Sequence, residues 1–140
     1  MTIINEKMKK IDCYAYHFGE RINLSKVISK IEFRLIKDES GYLLFKGDGN
    51  EYIYIKDFGS IVLMGIDLKN VKSLCKSISN FKSPITDYPF EEYSILVNYE
   101  TDIEVGFNEI VISKLSIDVA HIIMLNLAQA VALDNYQCQT

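Results

Sequence analysis

The sequence is poor in the residues from which metal and disulfide sites are built. It has two histidines, His17 and His121, and no third ligand at a zinc-type spacing accompanies them. Its three cysteines, Cys13, Cys75 and Cys138, are far apart, odd in number and without a C-x-x-C spacing. A disulfide framework is therefore not expected, and a reducing compartment is favoured. We expect no metal and no cofactor.

Positive charge is also in short supply. The chain has 15 Lys and Arg against 19 Asp and Glu, for a net charge of −4. A nucleic-acid partner or an anionic membrane surface would need basic side chains to bind its phosphates, so both are disfavoured. Residues 1–10 lack the apolar run and the small-residue cleavage site of a secretory signal. We expect residues 1–10 to be a flexible segment and the chain to be cytoplasmic.

Two short motifs carry little functional information. Asp57, Phe58 and Gly59 spell the magnesium motif of kinases, but the sequence has neither the Gly-rich loop nor the His-Arg-Asp catalytic loop that a kinase needs. Residues 47–51 offer oxygen ligands without the spacing of an EF-hand loop. Both motifs are interpreted as turns.

What the sequence does have is regular apolar patterning over 140 residues, enough for one domain. Helical spacing predicts helices over residues 24–32, from Asp67 towards Phe81, and over residues 114–136. The segment 82–92 holds both prolines, Pro84 and Pro89, and is predicted to be a loop. Apolar and β-branched runs predict strands over residues 11–18, 42–46, 51–56, 60–64, 93–98, 103–107 and 109–113.

The predicted order is β-α-β-β-β-α-β-β-β-α. Runs of strands between single helices favour an α+β fold, in which helices pack on one face of a mixed, mainly antiparallel sheet. The order also contains β-α-β and β-α-β units in succession, as a ferredoxin-like core does. Residues 1–140 are expected to form a single domain.

The long C-terminal helix, residues 114–136, is apolar around most of its circumference. Such a helix needs cover on more than one side. Three interpretations stay open at this point. It is the central core helix of the chain, or it packs on the sheet and its outer side meets another chain, or it spans a membrane. Its polar residues, among them Asp118 and His121, make membrane insertion costly.

Two sets of candidate residues lie on this helix. Asp118 and His121 are three residues apart and can touch, and with His17 they are the candidate polar site. A carboxylate beside an imidazole is part of many catalytic sites, but a structural pair is the commoner use. The candidate interface consists of Met124, Asn126, Leu127, Gln129 and Val131.

Residues 125–136, LNLAQAVALDNY, resemble the helix motif of the domain of unknown function 155 family, the required-for-meiotic-nuclear-division proteins. Residues 54–65, YIKDFGSIVLMG, are similar to a second motif of that family, and the resemblance extends over residues 11–136. The chain departs from the family pattern at Met64, Ala130 and Ala132, where an aromatic residue, Ser and Lys are usual.

The resemblance implies a non-enzymatic scaffold that forms homo-oligomers. Family members continue into long helices and often a membrane segment, so we expect this chain to be the N-terminal part of a larger or membrane-anchored protein. The resemblance assigns no catalytic residues.

Three hypotheses of function follow. The first is a self-associating interaction module that makes contact through its last helix. The second is a ferredoxin-like regulatory domain that binds a small molecule near His17, Asp118 and His121. The third, an enzyme that uses Asp118 and His121, has the least support.

Overall fold

The computed structural model describes residues 8–78, 90–98, 104–106 and 109–139. These residues form eight strands and three α-helices. The strands are β1 (Met8–His17), β2 (Arg34–Glu39), β3 (Tyr42–Lys46), β4 (Tyr52–Lys56), β5 (Ser60–Met64), β6 (Phe90–Asn98), β7 (Glu104–Gly106) and β8 (Glu109–Ile112). The helices are α1 (Leu24–Val27), continued by a 3-10 turn (Ile28–Lys30), α2 (Leu68–Ile78) and α3 (Ile117–Gln139).

All eight strands belong to one sheet, in the order β2-β3-β4-β5-β1-β6-β8-β7. Neighbouring strands run antiparallel, except that β6 and β8 pair in parallel. The prediction of an α+β fold with a mainly antiparallel sheet is confirmed.

The four central strands, β4-β5-β1-β6, are joined in a recognisable way. Because β5 and β6 each pair antiparallel with β1, they run in the same direction on either side of it, and α2 connects them. This is a split β-α-β unit. With α1 following β1, the connectivity is consistent with a ferredoxin-like core into which the β2–β3 hairpin is inserted.

Strand β1 is the centre of two hydrophobic cores. Its alternate side chains point to opposite faces of the sheet, as strand geometry requires. Cys13 and Ala15 are buried in a core on one face, and Tyr14 and Tyr16 are buried in a core on the other. Since the neighbouring strands are apolar on both faces too, the sheet needs cover on both sides.

The helices provide that cover from opposite sides. Val27 of α1 and Val71 of α2 pack in the core with Tyr14 and Tyr16, whereas α3 packs in the core with Cys13 and Ala15. The prediction that the helices share one face is therefore right for α1 and α2 and wrong for α3. A sheet that is apolar on both faces cannot leave one of them in water.

One strand was missed in the sequence. Strand β2 (Arg34–Glu39) lies at the edge of the sheet, carries charged side chains and is only partly buried. Its register shifts between Leu35 and Lys37, which indicates a bulge and interrupts the alternation that predicts a strand. An edge strand of this kind gives little periodic signal.

Several boundaries also differ from the predictions. Lys9 and Lys10 of the segment predicted to be flexible pair with β6, while residues 1–7 lie outside the described residues. The predicted loop 82–92 is wrong for residues 90–92, which belong to β6, and residues 82–89 lie outside the described residues. Helix α3 begins at residue 117, and Ser116 Oγ accepts a hydrogen bond from the Val119 amide at 3.2 Å.

A substitution at Gly65, directly after β5, tests how closely the backbone there approaches Asn50. The φ of Gly65 is +73°, and a Cβ at this position would lie 2.4 Å from the backbone oxygen of Asn50. Gly65→Ala should lower the free energy of unfolding by about 3 kcal/mol, because strained backbone and a clash with rigid backbone combine. Urea denaturation measures this loss.

Gly49→Ala is the matched control. Gly49 also has a positive φ, +59°, but a Cβ there would have no atom within 4 Å. We expect it to cost about 1 kcal/mol, for the backbone conformation alone. Equal losses in the two variants would contradict the close approach of Gly65 to Asn50.

Candidate functional site

The outer side of α3 is a narrow exposed stripe, which we call the α3 stripe and define as Ile122, Asn126, Gln129 and Leu133. At 100° per residue these side chains fall within about 60° of the helix circumference. Ile122 and Leu133 are each 61% exposed, and Asn126 and Gln129 are exposed between them. Two large apolar side chains therefore face solvent at the ends of the stripe, and two amides lie at its middle.

The opposite side of α3 is buried against the sheet. Met124 and Val131 are fully buried, and Leu127 is 5% exposed, all in the core beneath the helix. The predicted interface is therefore wrong for these three residues, because they pack against the chain's own strands. Asn126 and Gln129 are exposed, and their role in an interface stays a prediction.

A buried chain of hydrogen bonds ties α3 to the sheet. His17 Nδ1 on β1 lies 2.8 Å from Ser60 Oγ on β5, and Ser60 Oγ donates to the backbone oxygen of Ala128 at 3.0 Å. Ser60 is fully buried and His17 is 4% exposed. Because the bonds join β1, β5 and α3, they fix the position of the helix over the sheet.

The direction of these bonds assigns the protons. A hydroxyl has one hydrogen, and Ser60 gives it to Ala128, because a carbonyl can only accept. His17 Nδ1 must then carry the hydrogen that it donates to Ser60 Oγ. Burial lowers the pKa of His17, which favours the neutral ring, and in that ring Nε2 is a bare acceptor.

This arrangement does not make Ser60 a nucleophile. Its oxygen is inaccessible, and its hydrogen is donated away from His17 rather than towards it. In a nucleophilic pair the base would accept the hydroxyl hydrogen. The pair is best understood as a structural link.

Beside this link is an open pocket of about 330 Å³. It is lined mainly by apolar surface, from His17, Phe58, Gln129, Ala132 and Leu133. Phe58 comes from the turn between β4 and β5. Backbone hydrogen bonds hold this turn, one from the Ile22 amide to the Asp57 oxygen and one from the Asp57 amide to the Gly41 oxygen, each 2.9 Å. The Asp57–Gly59 motif is thus a structural turn that places an aromatic ring at the pocket.

His121 belongs to a different cluster. Its ring lies 5.0 Å from that of Tyr42 and 5.6 Å from that of Tyr54, and its Nδ1 is 3.4 Å from Lys37 Nζ. An ammonium can only donate, so Nδ1 of His121 is the acceptor. Burial and then the Lys37 charge lower the pKa of His121, while Asp118 raises it.

The structure therefore divides the predicted polar site. Asp118 acts on His121 electrostatically, as their spacing predicts, but His17 contacts Ser60 instead. Since Ser60 bonds Ala128, seven residues beyond His121, the two clusters are about 10 Å apart along α3. A single site of His17, Asp118 and His121 is wrong. Sequence reasoning missed Ser60, although it is the one hydroxyl in an otherwise apolar strand.

Comparison with protein-family models, with curated proteins and with solved structures gives no match to this chain. The resemblance to the domain of unknown function 155 family stays a prediction. Within the described residues, no cluster of three or more His, Cys, Asp or Glu side chains is placed to hold a metal ion. Among the helices of the same residues, none has the length and apolar character needed to cross a membrane.

Ser60→Ala tests the buried link. The variant leaves the Nδ1–H of His17 without its acceptor and removes the bond to α3, so we expect a loss of about 2 to 3 kcal/mol in the free energy of unfolding. Ser29→Ala is the control, since Ser29 is exposed and its Oγ donates to the backbone oxygen of Lys26 at 3.3 Å. That change should stay within about 0.5 kcal/mol. Similar effects in both variants would mean that the link contributes nothing.

The lowered pKa of His17 predicts a pH dependence of stability. The unfolded chain binds a proton near pH 6.5 and the folded chain binds it only at lower pH, so stability is full above about pH 6.5 and falls below it. One such group contributes a slope of at most about 1.4 kcal/mol per pH unit.

His17→Asn tests this assignment, because an asparagine amide can replace Nδ1 as the donor to Ser60 without titrating. Urea denaturation between about pH 7 and pH 5.5 should give a shallower fall for this variant than for the wild type. His121, whose pKa is also lowered, supplies the dependence that remains. An unchanged slope would rule out His17 as a titrating group in this range.

Proposed function

We propose that this chain is a non-enzymatic interaction module that self-associates through the α3 stripe. The observation that carries the proposal is the exposure of Ile122 and Leu133, 61% each, on one line of a helix that is otherwise anchored to the sheet. Because each side chain is already partly covered, burying what remains exposed is favourable by about 1 to 2 kcal/mol for each of the two.

The spacing along the stripe supports a helix partner. Ile122, Asn126, Gln129 and Leu133 are four, three and four residues apart. This is the alternation of a coiled-coil seam, in which polar residues at seam positions fix the register of the partners at some cost in affinity. A seam with apolar side chains at its two ends and amide side chains at its centre favours one specific pairing.

The remaining parts of the proposal rest on the sequence. The resemblance to the domain of unknown function 155 family favours a homo-oligomeric scaffold, within a larger or membrane-anchored protein. Cys13 and Cys75 are buried in cores on opposite faces of the sheet, which is in keeping with a reducing, cytoplasmic location.

A second candidate is a regulatory domain that binds a small molecule. The pocket of about 330 Å³ beside His17 favours it, since a mainly apolar lining that includes the His17 imidazole and the Gln129 amide suits a small, mainly apolar molecule with a hydrogen-bonding group. The pocket is open at the surface and shares Gln129 and Leu133 with the α3 stripe, so a ligand there and a second chain would meet the same residues.

Ile122→Lys tests self-association. Light scattering after size exclusion should find the wild type as a dimer or larger species at high micromolar concentration. The variant should be monomeric, because it places a charge in the apolar contact. Its fold should be unchanged, since Ile122 already faces solvent.

Leu68→Lys is the matched control. Leu68 is an exposed apolar residue, 40% accessible, at the start of α2 on the opposite side of the sheet. The Leu68→Lys variant should self-associate like the wild type. A wild type that is monomeric throughout the concentration range would end the proposal and leave the small-molecule alternative in its place.

A further inference from the structure

We infer that the partner of the α3 stripe is the same stripe of a second copy, paired antiparallel, with Ile122 of each chain seated in the pocket beside Leu133 of the other. The inference rests on the proposed self-association and adds its geometry. Three features support it: the symmetry of the stripe, the position of the pocket and the charge at the start of α3.

The α3 stripe is complementary to a second copy of itself that runs in the opposite direction. Its midpoint lies between Leu127 and Ala128, and Ile122 and Leu133 are equally far from it, as are Asn126 and Gln129. A twofold axis through this midpoint, perpendicular to α3, places Ile122 opposite Leu133 of the partner. It also places Asn126 opposite Gln129. In such an isologous contact each pairing occurs twice, so one match of residues gives the whole interface.

The central pairing satisfies both amides. The Asn126 and Gln129 side chains each carry a donor and an acceptor, so two facing amides can exchange hydrogen bonds. A shift of one helical turn would place an amide against Ile122 or Leu133 and leave polar groups unpaired in a buried contact. The amides therefore select this register.

The pocket lies where the partner's Ile122 would arrive. Gln129, Ala132 and Leu133 line it from α3, and they are spaced as residues i, i+3 and i+4. Residues at this spacing form the hole that receives a side chain from a facing helix. The rings of His17 and Phe58 complete the wall on the side of the sheet. An isoleucine fits the mainly apolar lining of such a hole.

The charge of Asp118 opposes the parallel alternative. Asp118 is exposed one turn before Ile122, next to the stripe. In a parallel pair with a twofold axis along the helices, Asp118 would lie near its own copy, and like charges at close range repel. In the antiparallel pair the two Asp118 residues are separated by about 28 Å along the helices. Antiparallel helix dipoles are favourable as well.

Engineered cysteines distinguish the two pairings. The variants Ile122→Cys and Leu133→Cys are made in a Cys138→Ser background, where Cys13 and Cys75 are fully buried and do not compete. One variant is labelled with nitrogen-15, because the two unlabelled chains have the same mass. Each is oxidised alone and in an equimolar mixture, and the disulfide-linked dimers are identified by mass spectrometry.

The antiparallel pairing predicts disulfides in the mixture, between one chain of each variant. Either variant alone should form few, because its two cysteines would be about 16 Å apart along the helices, beyond the reach of a disulfide. Leu68→Cys in the same background measures disulfides formed by random collision. Asn126→Cys mixed with Gln129→Cys is a second pair that leaves Ile122 and Leu133 in place. Each of these positions lies only about 5 Å along the helices from its own copy, so this pair should cross-link alone and in the mixture and reports contact at the centre of the stripe.

Other outcomes separate this inference from the proposed function. If Ile122→Cys and Leu133→Cys each cross-link alone as efficiently as their mixture, the pairing is parallel and the inference is wrong, although self-association stands. Dimers found by light scattering that give no more cross-links than Leu68→Cys would place the contact outside the α3 stripe. That result would overturn both the pairing and the use of the stripe in the proposed function, although the chain would still self-associate. A wild type that stays monomeric removes both the proposed function and the pairing.

Discussion

The sheet of this protein is apolar on both faces along its central strands, and the rest of the structure depends on covering both. Tyr14 and Tyr16 of β1 are buried beneath α1 and α2, while Cys13 and Ala15 are buried beneath α3. A chain with helices on one face would leave a continuous apolar surface in water. The long last helix is therefore part of the core, and only the side that the sheet does not use remains available for a partner.

The buried link from His17 through Ser60 to Ala128 defines how that helix sits. Hydrophobic contacts alone are non-directional, so they would hold a helix as apolar as α3 in several rotations. A hydrogen bond from a fully buried hydroxyl to the backbone of α3 is directional. With Ala128 held over β5, Met124 and Val131 face the sheet, and Ile122, Asn126, Gln129 and Leu133 face outward. The hydrogen bonds of His17 and Ser60 thus fix the position of α3. That position decides which of its side chains other molecules can contact.

Local patterns predicted most of the fold, and long-range geometry decided the rest. The β-rich run in residues 51–56 beside a Gly/Asp/Asn turn and the continuous apolar run in residues 60–64 identified β4 and β5, because these signals lie in consecutive residues. The charged edge strand β2 carried no such signal. The sequence could not predict which side of α3 meets the sheet, for a related reason. Both sides are rich in apolar residues, so the predicted interface included Met124, Leu127 and Val131, which are buried.

The candidate site shows the same limit. The spacing of Asp118 and His121 on one helix predicted their interaction, but no spacing predicts that His17 meets Ser60, 43 residues away. The pocket beside Leu133 likewise combines three separate parts of the chain. What joins these observations is the claim that α3 uses one side for its own sheet and the other for a second copy.

Side-chain accessibility along α3 tests that claim most directly, through methyl NMR spectra recorded with a soluble paramagnetic agent at low and at high protein concentration. At low concentration the methyl signals of Ile122 and Leu133 should broaden, while those of Met124 and Val131 stay sharp. At high concentration the Ile122 and Leu133 signals should become protected as well. Broadening of Met124 and Val131, or exposure of Ile122 and Leu133 at every concentration, would contradict the account.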